Sequence, residues 1–372
     1  MKTVVFAVGA RPNFVKMAPV VSALDREAGM RRLVVHTGQH YDERMSREIL
    51  GDLEFPAPDH FLEVGSGTHG EQTGNALIRF ERVLRSELPD LVVVGGDVNS
   101  TLACALGAAK LGIPVAHVES GLRSFDWTMP EEINRVLTDR LSQLLFTHSP
   151  EAALNLETEG IPSERVHYVG NTMIDTLRRF EPAAEQARAW ERRGLQRAEY
   201  VLVTLHRPSN VDAPERLDAV VDALVDLAAR TPVLFPIHPR TAARLVATGG
   251  MPRLLAAGVT CTEPLGYIDF LSAQIGSTAI VTDSGGIQEE AAALGVPCFT
   301  LRANTERPIT LELGTNVLLG DDPAAIVGIP LAVGPREACT IPLWDGHAGA
   351  RTAEVIVAAL ASVEPRDARV VA

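Results

Sequence analysis

Short runs that are apolar on both faces, separated by longer Ala-, Leu- and Arg-rich stretches, restrict this chain to one class of architecture. The runs are Thr3–Val8, Leu33–Thr37, Leu91–Val94, Val115–Val118, Leu144–Thr147, His167–Val169, Tyr200–Leu205, Val233–Ile237, Ala279–Thr282, Cys298–Leu301 and Asn316–Leu319. A strand covered on one face alternates apolar and polar residues. A continuous apolar strand needs cover on both faces, which parallel sheets obtain from the helices of βαβ crossovers. The pattern predicts an α/β chain, and 372 residues predict two domains at ~100–200 residues each. Thr172–Ala198 is Arg/Glu-rich and carries no strand signal, so it is expected to be a helical linker. The expected division is residues 1–172, residues 173–362, and a fraying tail at 363–372.

One piece of grammar occurs twice. Residues 91–115 read LVVVGGDVNSTLACALGAAKLGIPV and residues 279–298 read AIVTDSGGIQEEAAALGVPC. Each is a strand, an Asp-bearing turn, an Ala-rich helix and Leu-Gly-(Ile/Val)-Pro, in which Gly ends the helix and Pro blocks its continuation. Ligands of open parallel sheets sit beyond the carboxyl ends of the strands. Two such domains facing each other would gather their loops around a shared cleft.

Charge narrows the partners. With 34 Lys+Arg against 47 Asp+Glu, the net charge is −13, which argues against broad binding to nucleic acid or anionic membranes. Phosphate would have to be met by a few local cations and backbone amides. No run approaches the ~20 apolar residues of a membrane span, and MKTVVFAVGARP leads into a loop and not a cleavage site; a cytoplasmic protein is expected. The four cysteines, Cys104, Cys261, Cys298 and Cys339, have neither zinc nor disulfide spacing and read as free thiols in a reducing compartment.

Four groups of residues could carry chemistry. Gly9 to Pro19 follows the first strand, with Arg11 and Lys16 as cations for a diphosphate or carboxylate; the alternative is a solvated Arg and a Lys lying along the surface. It is not GxGxxG, so no dinucleotide is expected. Thr282-Asp283-Ser284-Gly285-Gly286 opens a helix onto which an anion could dock through backbone amides, with Glu290 placed for a ribose diol; an ordinary helix capped by Ser284 would look similar. Asp97, Glu119 and His206 stand just past strands, and Glu131, Glu132 and Arg135 open a helix. They suit general acid/base work, or else they cap helices and pair with Arg. His238 could bond a phosphate or sugar hydroxyl, and Phe270 could stack a base or belong to the core. His36, His60, His148 and His167 look ordinary, and no spacing implies a metal.

The ordered segments GARPNFVKMAP, GGDVNST, HVESGLRSFDWTMPEEINR, VGNTMID, HRPSN, HPRT, DSGGIQEE, TERP and LWDGHAGAR resemble the non-hydrolysing UDP-N-acetylglucosamine 2-epimerase family, from the N-terminus to about residue 352. The resemblance implies two Rossmann-like domains in the GT-B arrangement, with UDP bound mainly by the second. It implies interconversion of UDP-GlcNAc and UDP-ManNAc without NAD or metal, usually in a cytoplasmic homodimer, in the service of polysaccharide biosynthesis. It also implies roles. Asp97, Glu119 and Glu131 would be acid/base carboxylates, and His206 would aid the leaving group. Arg11 and Lys16 would touch diphosphate or sugar, and Arg135 and His238 would line the site. Phe270 would contact uracil, Ser284, Gly285 and Gly286 phosphate, Glu290 ribose, and Arg307 the phosphate or sugar.

The chain departs from the family in places. Asn13 replaces an acid, Val98-Asn99-Ser100-Thr101 a Thr-rich run, and Arg207-Pro208-Ser209 an Arg-Arg-Glu. Gln39-His40 is followed by Tyr41-Asp42 in place of Arg. The last two changes fall in segments through which substrate activates bacterial members, so activation is not part of the expectation. The alternatives are a GT-B glycosyltransferase, an epimerase of a modified UDP-HexNAc, a hydrolysing relative and a nucleotide-sugar-binding regulator.

Overall fold

In the computed structural model, residues 1–38, 51–331 and 339–362 are described, all with side chains except Arg11. The Gln39–Asp42 segment lies outside them. Strands β1 (Lys2–Val8), β2 (Met30–His36), β3 (His60–Phe61), β4 (Leu91–Gly95), β5 (Val115–Val118), β6 (Leu144–Thr147) and β7 (Val166–Tyr168) form one sheet in the order β3-β2-β1-β4-β5-β6-β7. Strands β8 (Val201–Thr204), β9 (Val233–Pro236), β10 (Thr260–Thr262), β11 (Ala279–Thr282), β12 (Cys298–Thr300) and β13 (Asn316–Leu318) form a second, in the order β10-β9-β8-β11-β12-β13. Every pairing is parallel.

The continuous apolar runs have the physical cause expected of them. In β8, Val201 and Val203 join one buried cluster with Val233, Phe235 and Val281. Leu202 joins another with Leu234, Ile280 and Cys298. Successive side chains point to opposite faces, and both faces are covered, so no polar alternation is tolerated. In the first sheet the helix Asn99–Lys110 approaches closely because Ala103, Cys104, Ala105, Gly107 and Ala108 are small and buried.

Both sheets reverse their strand order at one place, between β1 and β4 and between β8 and β11. Loops leaving the carboxyl ends of two strands that diverge there open the crevice in which α/β sheets bind ligands. Gly9 and Asp97 follow β1 and β4; His206 and Asp283 follow β8 and β11.

By its internal packing the chain divides into Met1–Thr176 with Pro342–Ala372, and Leu177–Ile341. This differs from the expected division at 172/173 in one substantial respect: the helix Ala348–Ala361 packs on the helix Arg11–Leu24 of the first unit. Asp175 accepts hydrogen bonds from the Ala348 and Gly349 N–H groups at 3.1 and 2.7 Å, and Arg351 Nε donates to the Val169 carbonyl at 2.7 Å. Burial pushes the Asp175 carboxyl up to about 6 despite those bonds. The expected linker is α-helical only over Thr172–Ala187. Arg188 takes a left-handed φ of 42° and breaks it. Trp190 and Leu195 beyond it are buried in the second unit's core.

Candidate active site

In the first unit, charged groups converge at the strand-order reversal. An ideal Cβ on Gly96 would stand 3.2 Å from Lys16 Nζ and 3.5 Å from both Glu119 Oε2 and Asn13 Nδ2. Gly96 itself has φ +68°, so only glycine fits this junction without strain. Lys16 and Glu119 form a buried ion pair. Glu119 is held at φ +66°, a backbone region costly for a residue with a side chain and tolerated mainly at sites where geometry is over-determined.

Asn13 ties the turn together. Its Oδ1 accepts from the Gly9 and Ala10 N–H groups at 3.3 and 3.0 Å, while its Nδ2 donates to the Gly95 carbonyl at 2.7 Å. A carboxylate could accept the first two bonds but not donate the third.

Asp97, a quarter exposed, accepts a 2.6 Å ion-paired bond from Arg135 Nη2. Arg135 Nη1 reaches Glu132 at 2.8 Å, and Glu132 accepts from the Ser124 and Phe125 N–H groups, each at 2.9 Å. Glu132 is therefore a buried brace. Its neighbour Glu131 is exposed and lies one turn before Arg135, on the same helix face. Among the described residues the Glu131 side chain makes no hydrogen bond or ion pair. The Arg11 backbone opens its helix; its side chain lies outside the described residues.

In the second unit, Asp283 is fully buried behind His206. It accepts from the His206 N–H at 3.1 and 3.0 Å, the Arg207 N–H at 2.9 Å and Asn210 Nδ2 at 3.1 Å. His206 Nδ1 lies 3.1 Å from Asp283 Oδ1. Burial pushes the Asp283 carboxyl up, but His206, the Asn210 amide and the Arg207 N–H outweigh it and hold the carboxyl below the usual carboxylate range. The His206 and His238 rings lie 5.5 Å apart, and His238 caps its own helix by accepting from the Arg240 N–H at 3.2 Å.

The helix Gly285–Leu294 begins beside this pair. Ser284 occupies its N-cap position, but its side chain makes no capping bond, contrary to the ordinary cap named as the alternative. The first N–H groups are thus left for a ligand. An ideal Cβ on Gly285 would come within 2.2 Å of Arg307 Nη1, so this glycine makes room for a guanidinium over the helix start. Gly286 is half-buried. Arg307 pairs with Glu289 at 3.1 Å and with Glu306 at 3.5 Å, and Arg302 clasps Glu306 with two 2.8 Å bonds. Burial raises the Glu306 carboxyl, but Arg302 and Arg307 overcome this and drive it far below the usual range. Glu290 is buried and accepts 2.6 Å from Gln274 Nε2 on the helix Tyr267–Gly276. That helix also carries Phe270, half-buried against the second unit's core.

Lys16, Asp97, Glu119, Glu131 and Arg135 therefore gather in the first unit, and His206, His238, Ser284, Gly285, Gly286, Glu290 and Arg307 in the second with Phe270 on a linked helix. Sequence reasoning missed Asp283 as an anchor, taking it only as a turn residue. It also missed His117, whose ring bridges Asp139 at 2.6 Å and the Gly96 carbonyl at 2.8 Å. A lone His inside the apolar strand VAHV was the available signal; its partner lies 22 residues away.

A model of the UDP-N-acetylglucosamine 2-epimerase family matches residues 22–357. The chain belongs to this family. A UDP-N-acetylglucosamine 2-epimerase of Methanocaldococcus jannaschii is 43% identical over 355 residues, covering 94% of this chain and 97% of the relative. A crystal structure of the M. jannaschii UDP-GlcNAc 2-epimerase in complex with UDP-GlcNAc and UDP superposes with a TM-score of 0.89 at 42% identity, covering 96% of this chain and all of that one. A UDP-2,3-diacetamido-2,3-dideoxy-D-glucuronate 2-epimerase of Pseudomonas aeruginosa is 42% identical over 318 residues, covering 84% of this chain and 87% of the relative. The epimerase family thus spans both units, and no helix among the described residues is long and apolar enough to cross a membrane.

Proposed function

We propose that the chain interconverts UDP-N-acetylglucosamine and UDP-N-acetylmannosamine by elimination and re-addition of UDP. The observation that carries this reading is the convergence of Lys16, Glu119 and the Asp97–Arg135 pair about Gly96. Holding a nucleotide does not require several carboxylates at one strand-order reversal; moving protons does.

The C2 proton of the sugar is weakly acidic, so its removal must be coupled to departure of the leaving group. A carboxylate takes the C2 proton as the C1–O bond to UDP breaks, leaving a 2-acetamidoglucal and UDP. UDP then re-adds at C1 while C2 is protonated from the opposite face. Asp97, Glu119 and Glu131 are the proton carriers of this scheme. Arg135 pairs with Asp97 and Lys16 with Glu119, which holds both carboxylates in place at the strand-order reversal. Arg11 and Lys16 contact diphosphate or sugar. The uncapped helix start at Ser284, Gly285 and Gly286, with Arg307, receives the charge that develops on departing UDP. His206 donates to the diphosphate, His238 lines the same region, Glu290 binds ribose and Phe270 faces uracil.

A modified sugar is the second reading, favoured by the 42% identity to the P. aeruginosa enzyme. Resemblance to the family further supports a cytoplasmic homodimer that feeds polysaccharide biosynthesis. Incubation with UDP-GlcNAc alone separates the possibilities. Epimer formation supports the proposal, free sugar with UDP indicates a hydrolase, and no change points to a transferase, a regulator or a modified substrate.

A further inference from the structure

We propose that Asp283 is the positioning residue for His206, fixing its ring with the Nδ1 proton on the carboxylate and Nε2 turned toward the departing diphosphate. This deepens the reading of His206 given above and rests on it.

Three donors bond one carboxylate, and the His206 ring lies against it. The His206 N–H, the Arg207 N–H and Asn210 Nδ2 fix its position, and among the described residues the His206 ring is the only titratable side chain paired with it. Asp283 is fully buried, whereas the His206 side chain is 41% exposed. An ionised carboxylate only accepts hydrogen bonds, so its contact with Nδ1 at 3.1 Å favours a proton on that nitrogen. The backbone bonds set the carboxylate independently of the ring, so the ring is held at both its own main chain and its Nδ1. With Nδ1 so engaged, Nε2 is the nitrogen left for a ligand. A ring carrying both protons gains the attraction of the buried anion and can donate from Nε2 to an oxygen on which charge is growing. The other titratable ring against His206 is His238, at 5.5 Å, and Arg207 approaches Asp283 through its Nε bond to the Asp283 carbonyl.

The same arrangement explains why the aspartate stands directly before the helix Gly285–Leu294. One turn of chain orients the imidazole through its side chain and presents open N–H groups from its next residues. Both act on the same anion.

The test uses the full-length protein. Nitrogen-15 spectra of the wild-type histidine rings, with the His206 signal assigned by its loss in His206→Ala, should show Nδ1 protonated above the ring's titration. A proton on Nε2 alone would overturn the proposal without any change at Asp283. Kinetics supply the second arm. Asp283→Asn should lower kcat for UDP-GlcNAc by about 10²–10⁴-fold, the range for mis-set acid/base groups, with UDP affinity changed less than about threefold. In the His206→Ala background, Asp283→Asn should add almost nothing. An equal additional loss there would show that Asp283 is merely structural. If Asp283→Asn does not fold, the wild-type ring spectra still decide. If wild-type protein turns over no UDP-GlcNAc, the reading of function fails first, and the spectra test the ring's orientation separately.

Discussion

Placing a methyl group on Gly285 tests the assembly around the helix proposed to bind UDP. An ideal Cβ there lies 2.2 Å from Arg307 Nη1 and 2.7 Å from Arg307 Cζ, where ordinary contact begins near 3.4 Å. The guanidinium must therefore retreat by about 1 Å or more. It cannot do so freely, because Nε is paired at 3.1 Å with Glu289, whose side chain is fully buried. Complete loss of a buried partner costs about 3–5 kcal/mol. Partial displacement should cost about 1–3 kcal/mol of stability. If Arg307 meets phosphate as proposed, its withdrawal removes a charge-assisted hydrogen bond of about 1.5–3 kcal/mol, or about 10–10²-fold in UDP affinity. Calorimetric titration of UDP into Gly285→Ala, Arg307→Ala and the double variant, with melting curves, measures both effects. The double variant should bind UDP no more weakly than Arg307→Ala alone, since the methyl acts through the arginine. Wild-type affinity in Gly285→Ala beside a large loss in Arg307→Ala would refute this reasoning.

Three further outcomes follow from the same geometry. Asp97→Asn and Glu119→Gln should each lose about 10²–10⁴-fold in turnover while UDP still binds, measured by product assay and calorimetry; near-normal turnover in both would make these acids mere partners of Arg135 and Lys16. Burial lowers His36 to about 4 from 6.5, so the unfolded chain binds the extra proton first and stability falls as pH drops from 6.5 toward 4. Between pH 7 and 5 wild type should lose about 2 kcal/mol more than His36→Gln in urea unfolding, and equal losses would contradict this. Activity should survive exhaustive chelation and the absence of NAD; rescue of a chelated, inactive sample by one metal would overturn that expectation.

Much of the architecture was legible because its cause is local. Val201–Thr204 must be apolar throughout when Val201 and Val203 serve one core and Leu202 the other. Two edge strands escape that constraint. His60–Phe61 is only two residues and Thr260–Thr262 is mostly polar, and nothing in their composition announced a strand. The return of Ala348–Ala361 to the first unit depends on Asp175, more than 170 positions away. No local pattern encodes that distance.

The candidate site divides in the same way. Asp97, Glu119 and Ser284 were visible as polar residues just past apolar runs. Their partners were not: Arg135 reaches Asp97 across 38 positions and His206 reaches Asp283 across 77. Gly285 was visible as a glycine, but its reason, an arginine lying over it, belongs to tertiary structure alone.

The central claim is that C2 is deprotonated and reprotonated while UDP leaves and returns. Turnover of UDP-GlcNAc in deuterium oxide, followed by proton magnetic resonance, tests it most directly. The account predicts UDP-ManNAc carrying deuterium at C2, with deuterium entering the recovered substrate as equilibrium is approached. Epimer that keeps its original C2 hydrogen would contradict the account.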